Sequence, residues 1–198
     1  MADERIPQWM EEIKKRLSGR RYRHTLGVAF TSASLAMRYA YDPDAAFTAG
    51  LFHDIAKEFS REKTLRLCEE NAIPISQVEK RNTVLLHGKL GAFVAETEFA
   101  VTNEEILDAI RCHTTGKPEM NLLEKIVFTA DYIEPLRDRR GGNLDTIRQL
   151  SFVDLDAAIV MITEETMQFL GGRGKEIDSM TAKTHDYYKQ RATSAQKR

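Results

Sequence analysis

Apolar residues recur at spacings of three and four through almost every segment, while strict alternation of Val, Ile, Thr and aromatic residues is missing. The pattern predicts an all-α fold, with helices over 7–17, 22–40, 43–57, 61–72, 83–98, 103–113, 121–134, 143–150, 154–170 and 181–193. Asp42 before Pro43 reads as an N-cap with proline at the first helical position, and Thr102 with Glu105 reads as a capping box. Pro135 and the Gly141-Gly142 pair stop helices where loops are needed. No internal repeat or low-complexity linker interrupts the series, so one domain over residues 1–198 is expected, with a disordered tail over 190–198.

A chain of 198 residues can bury a sound core without disulfides. Its net charge of −1 and pI near 6.5 provide no basic field for nucleic acid, and no run of 18 apolar residues could span a bilayer. The start, MADERIPQWMEE, lacks the cationic and apolar regions of a secretory signal. Cys68 and Cys112 show no pairing motif, which fits reduced thiols. A cytoplasmic protein with no membrane or nucleic-acid partner is expected.

The candidate chemistry lies in an ordered series: His24, His53-Asp54, His87, His113 and Asp131. Gaps of 28, 32, 25 and 17 residues exclude a local metal loop and suit ligands from separate helices converging on one pocket. Imidazole and carboxylate donors without thiolate suit iron, manganese, zinc or cobalt used for hydrolysis. His53-Asp54 is expected late in the helix over 43–57. A His-Asp dipeptide means little alone; a second one, His185-Asp186, sits in a polar stretch and reads as solvated helix. The first pair differs because Phe47, Ala49, Leu51, Phe52, Ile55 and Ala56 surround it. An unpartnered carboxylate there would cost several kcal/mol, so Asp54 needs a cation.

Together with RYRHTLGVA at 21–29, AGLFHDIAK at 49–57, LLHGKLGA at 85–92, AIRCHTTGKPEMNLLEKI at 109–126 and ADYIEPLR at 130–137, these residues resemble the HD superfamily of metal-dependent phosphohydrolases, and within it the bacterial YqeK family. The resemblance spans most of residues 20–140 and implies an HD-domain helical bundle. It also implies a homodimer that hydrolyses diadenosine tetraphosphate symmetrically to two ADP, with one or two iron ions per chain. By that resemblance His24, His53, Asp54 and Asp131 hold the principal iron, while His87 and His113 face a second metal position or the phosphates. Arg21, Lys57, Thr114, Asp131, Arg137 and the loop Gly174, Lys175, Glu176, Ile177, Asp178 and Ser179 are then nucleotide contacts, with ADP or GDP as product-like ligands.

The residues support that chemistry on their own terms. A divalent ion lowers the pKa of water toward ~7, and paired ions can also polarise a phosphoryl oxygen. Asp54 then serves catalysis through the nucleophile it helps to hold. Arg21 lies one helical turn before His24, and Lys57 four residues after His53, where an ammonium can neutralise developing phosphate charge. Arg137 can grip phosphate as a fork, whereas Arg139 and Arg140 read as a solvated loop. Glu134 is placed to orient a ligand rather than to act as an acid. Two other readings stay open: another nucleotide phosphohydrolase or phosphodiesterase of the superfamily, and a nucleotide-binding regulatory module.

Overall fold

Helix follows helix in the computed structural model, which describes residues 3–137 and 142–195. In chain order they are α1 (Ile6–Arg16), α2 (Gly19–Arg38), α3 (Pro43–Phe52), α4 (Arg61–Glu70) and α5 (Gln77–Arg81), then a 3-10 turn (Thr83–Leu86). They continue as α6 (His87–Phe99), α7 (Glu104–Cys112), α8 (Leu122–Ile133), α9 (Leu144–Ser151), α10 (Leu155–Gly171) and α11 (Ser179–Ala195), with no strand among the described residues. None of these helices is long and apolar enough to cross a membrane.

Side chains that take the first free backbone N–H groups decide where the helices begin. Ser18 accepts from Arg21 N at 3.3 Å to start α2, and Asp42 accepts from Asp44 N at 2.9 Å ahead of Pro43 to start α3. A reciprocal Asn121–Glu124 box starts α8. The cap of α7 differs from expectation: Asn103, not Thr102, accepts from Glu105 N at 2.9 Å. The α5 turn was not anticipated, although Ser76 and Glu79 form a complete capping box ahead of it.

The core is organised by α2, which packs along α3 and against α8, while α8 also meets α7 and α10. Contact between α2 and α3 depends on Gly50, where a β-carbon would lie 2.8 Å from the Ala29 α-carbon. Leu35, Leu51, Phe52, Leu107 and Ile126 are fully buried, each worth about 1.5–3 kcal/mol over exposure. Trp9 of α1 meets Phe52 edge-on at 5.4 Å, and Phe52 meets Phe99 at 4.9 Å, tying the first helix to α3 and α6.

Two expectations about the C-terminal part are corrected. His185 is not on a solvated helix: it is 7% exposed, with a ring nitrogen 3.1 Å from the Thr163 hydroxyl of α10. Nearby Tyr188 is fully buried and its hydroxyl oxygen accepts from Met120 N at 2.9 Å. Those bonds seat α11 on α10 and on the segment before α8. The last helix also continues to Ala195, into the stretch expected to be disordered; residues 196–198, and Arg139, Arg140 and Gly141, lie outside the described residues.

Candidate metal centre

Five segments deliver the six candidate ligand side chains to one place. His24 lies in α2 and Asp131 in α8, His87 opens α6, and His113 follows the last residue of α7. The His53-Asp54 pair is not inside a helix as expected: α3 ends at Phe52, and the chain turns on through 3-10-type bonds from Ile55 N to Phe52 O and from Lys57 N to Asp54 O. Lys57 likewise leaves from a turn rather than a shared helix face, and its ammonium comes 3.0 Å from His87 Nε2 and 3.9 Å from Asp54 Oδ1.

Each imidazole is aimed through its Nδ1. His53, His87 and His113 direct Nδ1 at the carbonyls of Gly50, Val84 and Ile110, three residues earlier in each case. His24 directs Nδ1 at Glu134 Oε1, 3.1 Å away, which is the orienting role expected of Glu134. With the proton at Nδ1, the Nε2 lone pairs face each other in two pairs. The Nε2 atoms of His24 and His53 are 3.3 Å apart, and those of His87 and His113 are 2.9 Å apart. Facing lone pairs at such distances repel unless a proton or cation lies between them.

A shared proton is disfavoured at the second pair. Burial, reinforced by Lys57, lowers the pKa of His87, and burial with the neighbouring His87 and His53 holds His113 well below the usual imidazole range. Burial also lowers His24, yet the hydrogen bonds to Asp131 and Glu134 outweigh it and leave that ring raised. Asp54 and Asp131 are both held well below the carboxylate range despite burial, Asp54 chiefly by His53 and His87 and Asp131 chiefly by Arg137 and His24. Donors of this type fit a divalent metal.

Asp54 joins the two halves of the cluster. Its Oδ2 lies 3.4 Å from His53 Nε2 and 3.6 Å from His24 Nε2, and its Oδ1 lies 3.2 Å from His87 Nε2 and 3.8 Å from His113 Nε2. Asp131 Oδ1 completes the first half, 3.1 Å from His24 Nε2. Two overlapping donor sets result, His24–His53–Asp131 and His53–Asp54–His113, each gathered within 4.8 Å. Cys68 and Cys112 are buried and unpaired, burial pushes both thiols up, and neither belongs to a donor set.

Three cations ring the donors. Arg21 reaches Asp54 Oδ2 at 2.6 Å and Arg137 reaches Asp131 Oδ1 at 2.7 Å, while burial lowers the Lys57 pKa against the pull of Asp54 and Asp131. Thr114 joins them, its hydroxyl 3.2 Å from His87 Nε2. The loop from Gly174 to Ser179 is not brought to the donors: Glu176 pairs with Arg81 at 2.6 Å, and Asp178 accepts from Met180 N at the start of α11. No polar contact joins Gly174, Lys175, Glu176, Ile177, Asp178 or Ser179 to the six ligands among the described residues. The sequence reading also missed the opposite wall. A cleft of about 1160 Å³ opens from His24, Arg21 and Arg137 and is closed on its far side by Glu165, Gln168 and Phe169 of α10.

An all-helical bundle that gathers a histidine, a His-Asp pair and a distant aspartate around one buried centre defines an HD-type metal-binding domain. The HD domain family model matches residues 21–136, and the chain belongs to that family. It is 37% identical to the symmetrical bis(5'-nucleosyl)-tetraphosphatase of Bacillus subtilis strain 168, over 88% of this chain and 92% of that one. It is 36% identical to the enzyme of the same name from Halalkalibacterium halodurans, over 89% and 93% of the two chains. Among solved structures, an HD superfamily hydrolase from Clostridium acetobutylicum, described as involved in NAD metabolism, superposes with a TM-score of 0.89 at 35% identity. That match covers 94% of this chain and 97% of the other.

Proposed function

We propose that this protein is a symmetrical bis(5'-nucleosyl)-tetraphosphatase that hydrolyses diadenosine tetraphosphate to two ADP at an iron centre. The observation that carries the reading is the two-sided position of Asp54, with one carboxylate oxygen toward His24 and His53 and the other toward His87 and His113. That two-sided carboxylate would let these residues hold one divalent ion or two. Divalent ions held there supply water of lowered pKa and electrophilic stabilisation at phosphorus.

The side chains around the donors match a polyphosphate. Asp54, Asp131 and Glu134 balance Arg21, Lys57 and Arg137 one for one, so any bound divalent ion leaves the centre positive and in need of an anionic ligand. Arg21 and Arg137 each hold a carboxylate through a terminal guanidinium nitrogen, from which they can turn to phosphate oxygens. Lys57 and the Thr114 hydroxyl lie on the His87 side and supply donors to the departing ADP. ADP needs no dedicated acid, because its terminal phosphate is weakly basic. The names of the Bacillus subtilis and Halalkalibacterium halodurans relatives support this substrate, and unpaired Cys68 and Cys112 support a reducing, cytoplasmic setting. A homodimer is part of the proposal.

Product analysis tests it. ADP as the sole product from diadenosine tetraphosphate is expected; AMP with ATP would mean asymmetrical cleavage, and absence of turnover would favour a nucleotide-binding role. Elemental analysis of anaerobically purified protein should find iron, with activity lost on chelation and restored by ferrous ion ahead of manganese, cobalt or zinc.

A further inference from the structure

We propose that the cleft between α2 and α10 is a subsite for one purine nucleoside of the dinucleotide, with the half-exposed ring of Phe169 as its stacking platform. The inference rests on the reading just given. A symmetrical substrate cut at its midpoint places an equal nucleoside on each side of the centre. The single chain around each centre has no matching symmetry, so the two nucleosides must meet different walls. The sequence resemblance assigned one set of nucleotide contacts and left this wall of α10 without a role.

The cleft gathers the requirements into one concavity. His24, Arg21 and Arg137 stand at its inner end. Arg20 and Arg23, on either side of Arg21 in the chain, also line it, are exposed, and have no ion pair among the described residues, as cations receiving phosphates would. The same lining carries two exposed apolar side chains: Leu136 is 64% exposed and Phe169 50% exposed. A lone exposed hydrophobic residue is ordinary, but two in the same concavity as a metal ligand and four arginines point to a flat apolar ligand attached to phosphate. The Arg173 guanidinium lies 4.3 Å from the centre of the Phe169 ring and braces it. Bases stack on aromatic rings whatever their identity, and the Gln168 amide beside the ring supplies a donor and an acceptor for a base edge. The wall itself is fixed, because Glu165 accepts from the Tyr132 hydroxyl and from Asn143 N, each at 2.5 Å.

Steady-state kinetics on diadenosine tetraphosphate tests the subsite, joined to photolabelling with its 8-azidoadenine analogue. Phe169→Ala should raise KM fivefold or more, beyond any fall in kcat, and Phe169→Tyr should restore it to within twofold. Arg20→Ala with Arg23→Ala should raise KM as well, without Phe169 being touched. In the wild-type protein the photolabel should enter the segment 165–173 or Leu136 in addition to a second, separate segment. An unchanged KM in Phe169→Ala, or labelling that spares both places, overturns the subsite. A raised KM that accompanies a change in oligomeric state on size-exclusion chromatography also overturns it, since Phe169 would then be a subunit contact. Wild-type protein that fails to cleave the dinucleotide defeats the catalytic reading instead, and the labelling pattern still reports on the cleft.

Discussion

Glu134 lies so close over Gly27 that a β-carbon at position 27 would come within 2.5 Å of its Oε2. Its other oxygen is the acceptor for His24 Nδ1, and Oε2 also accepts from Leu136 N at 2.7 Å. A single α2 helix therefore presents both a ligand and, one turn later, the gap that admits the group aiming that ligand.

Gly27→Ala should displace Glu134 and weaken metal binding by about 10- to 100-fold, the range typical for losing a group that orients a ligand. Chelator competition on the purified variant measures this. Wild-type affinity would mean that His24 holds its direction without Glu134.

Asp54→Ala removes both oxygens that connect the two halves of the cluster, so metal content and turnover should both be lost. Elemental analysis alongside product assay checks it; a variant that keeps its full metal complement would refute the bridging position. Partner binding should survive if the chain also has a scaffolding role.

Acidification should destabilise the metal-free protein from pH 7 toward pH 5. His87 and His113 have folded pKa values below the ordinary 6.5, so their contribution is present above 6.5 and is lost as pH falls toward the folded values. His24 has the opposite sign: its raised pKa contributes below 6.5 and is lost as pH rises through the folded value. Two buried rings outweigh one. Asp54 and Asp131, depressed below 3.8, add a further loss only in stronger acid. Denaturant midpoints measured across this range would contradict the account if they rose on acidification.

Tyr188→Phe leaves the buried Met120 N–H without its acceptor, at a cost of about 1–3 kcal/mol. A lowered denaturant midpoint with an unchanged slope is the expected result. No change would mean that α11 is seated by its other contacts.

The convergence of the six donor side chains was legible because their residue types and wide spacing allow few arrangements, and the all-helical architecture because most helices keep a polar face. Where that face disappears, the period disappears with it. Ala45 through Phe52 are all buried, so nothing in the run marks α3 as ending at Phe52 rather than at 57. The five residues of α5 are too few to show a period, although the Ser76–Glu79 box announces the helix. His185 was misjudged because α11 buries hydroxyls and an imidazole rather than aliphatic groups, and Thr181, Thr184, His185 and Tyr188 look solvated when read as letters. Phe169 and Glu165 could not be connected to His24 at all, since only the packing of α10 beside α8 brings those distant segments to one cleft.

Three of the four imidazoles take their direction from peptide carbonyls, a group that every amino acid carries. Replacing the side chain at Val84 or Ile110 leaves that acceptor in place, so the centre is buffered against mutational drift wherever the local backbone path survives. His24 alone borrows its bearing from another residue's side chain, and there one exchanged codon is enough to swing a ligand out of line.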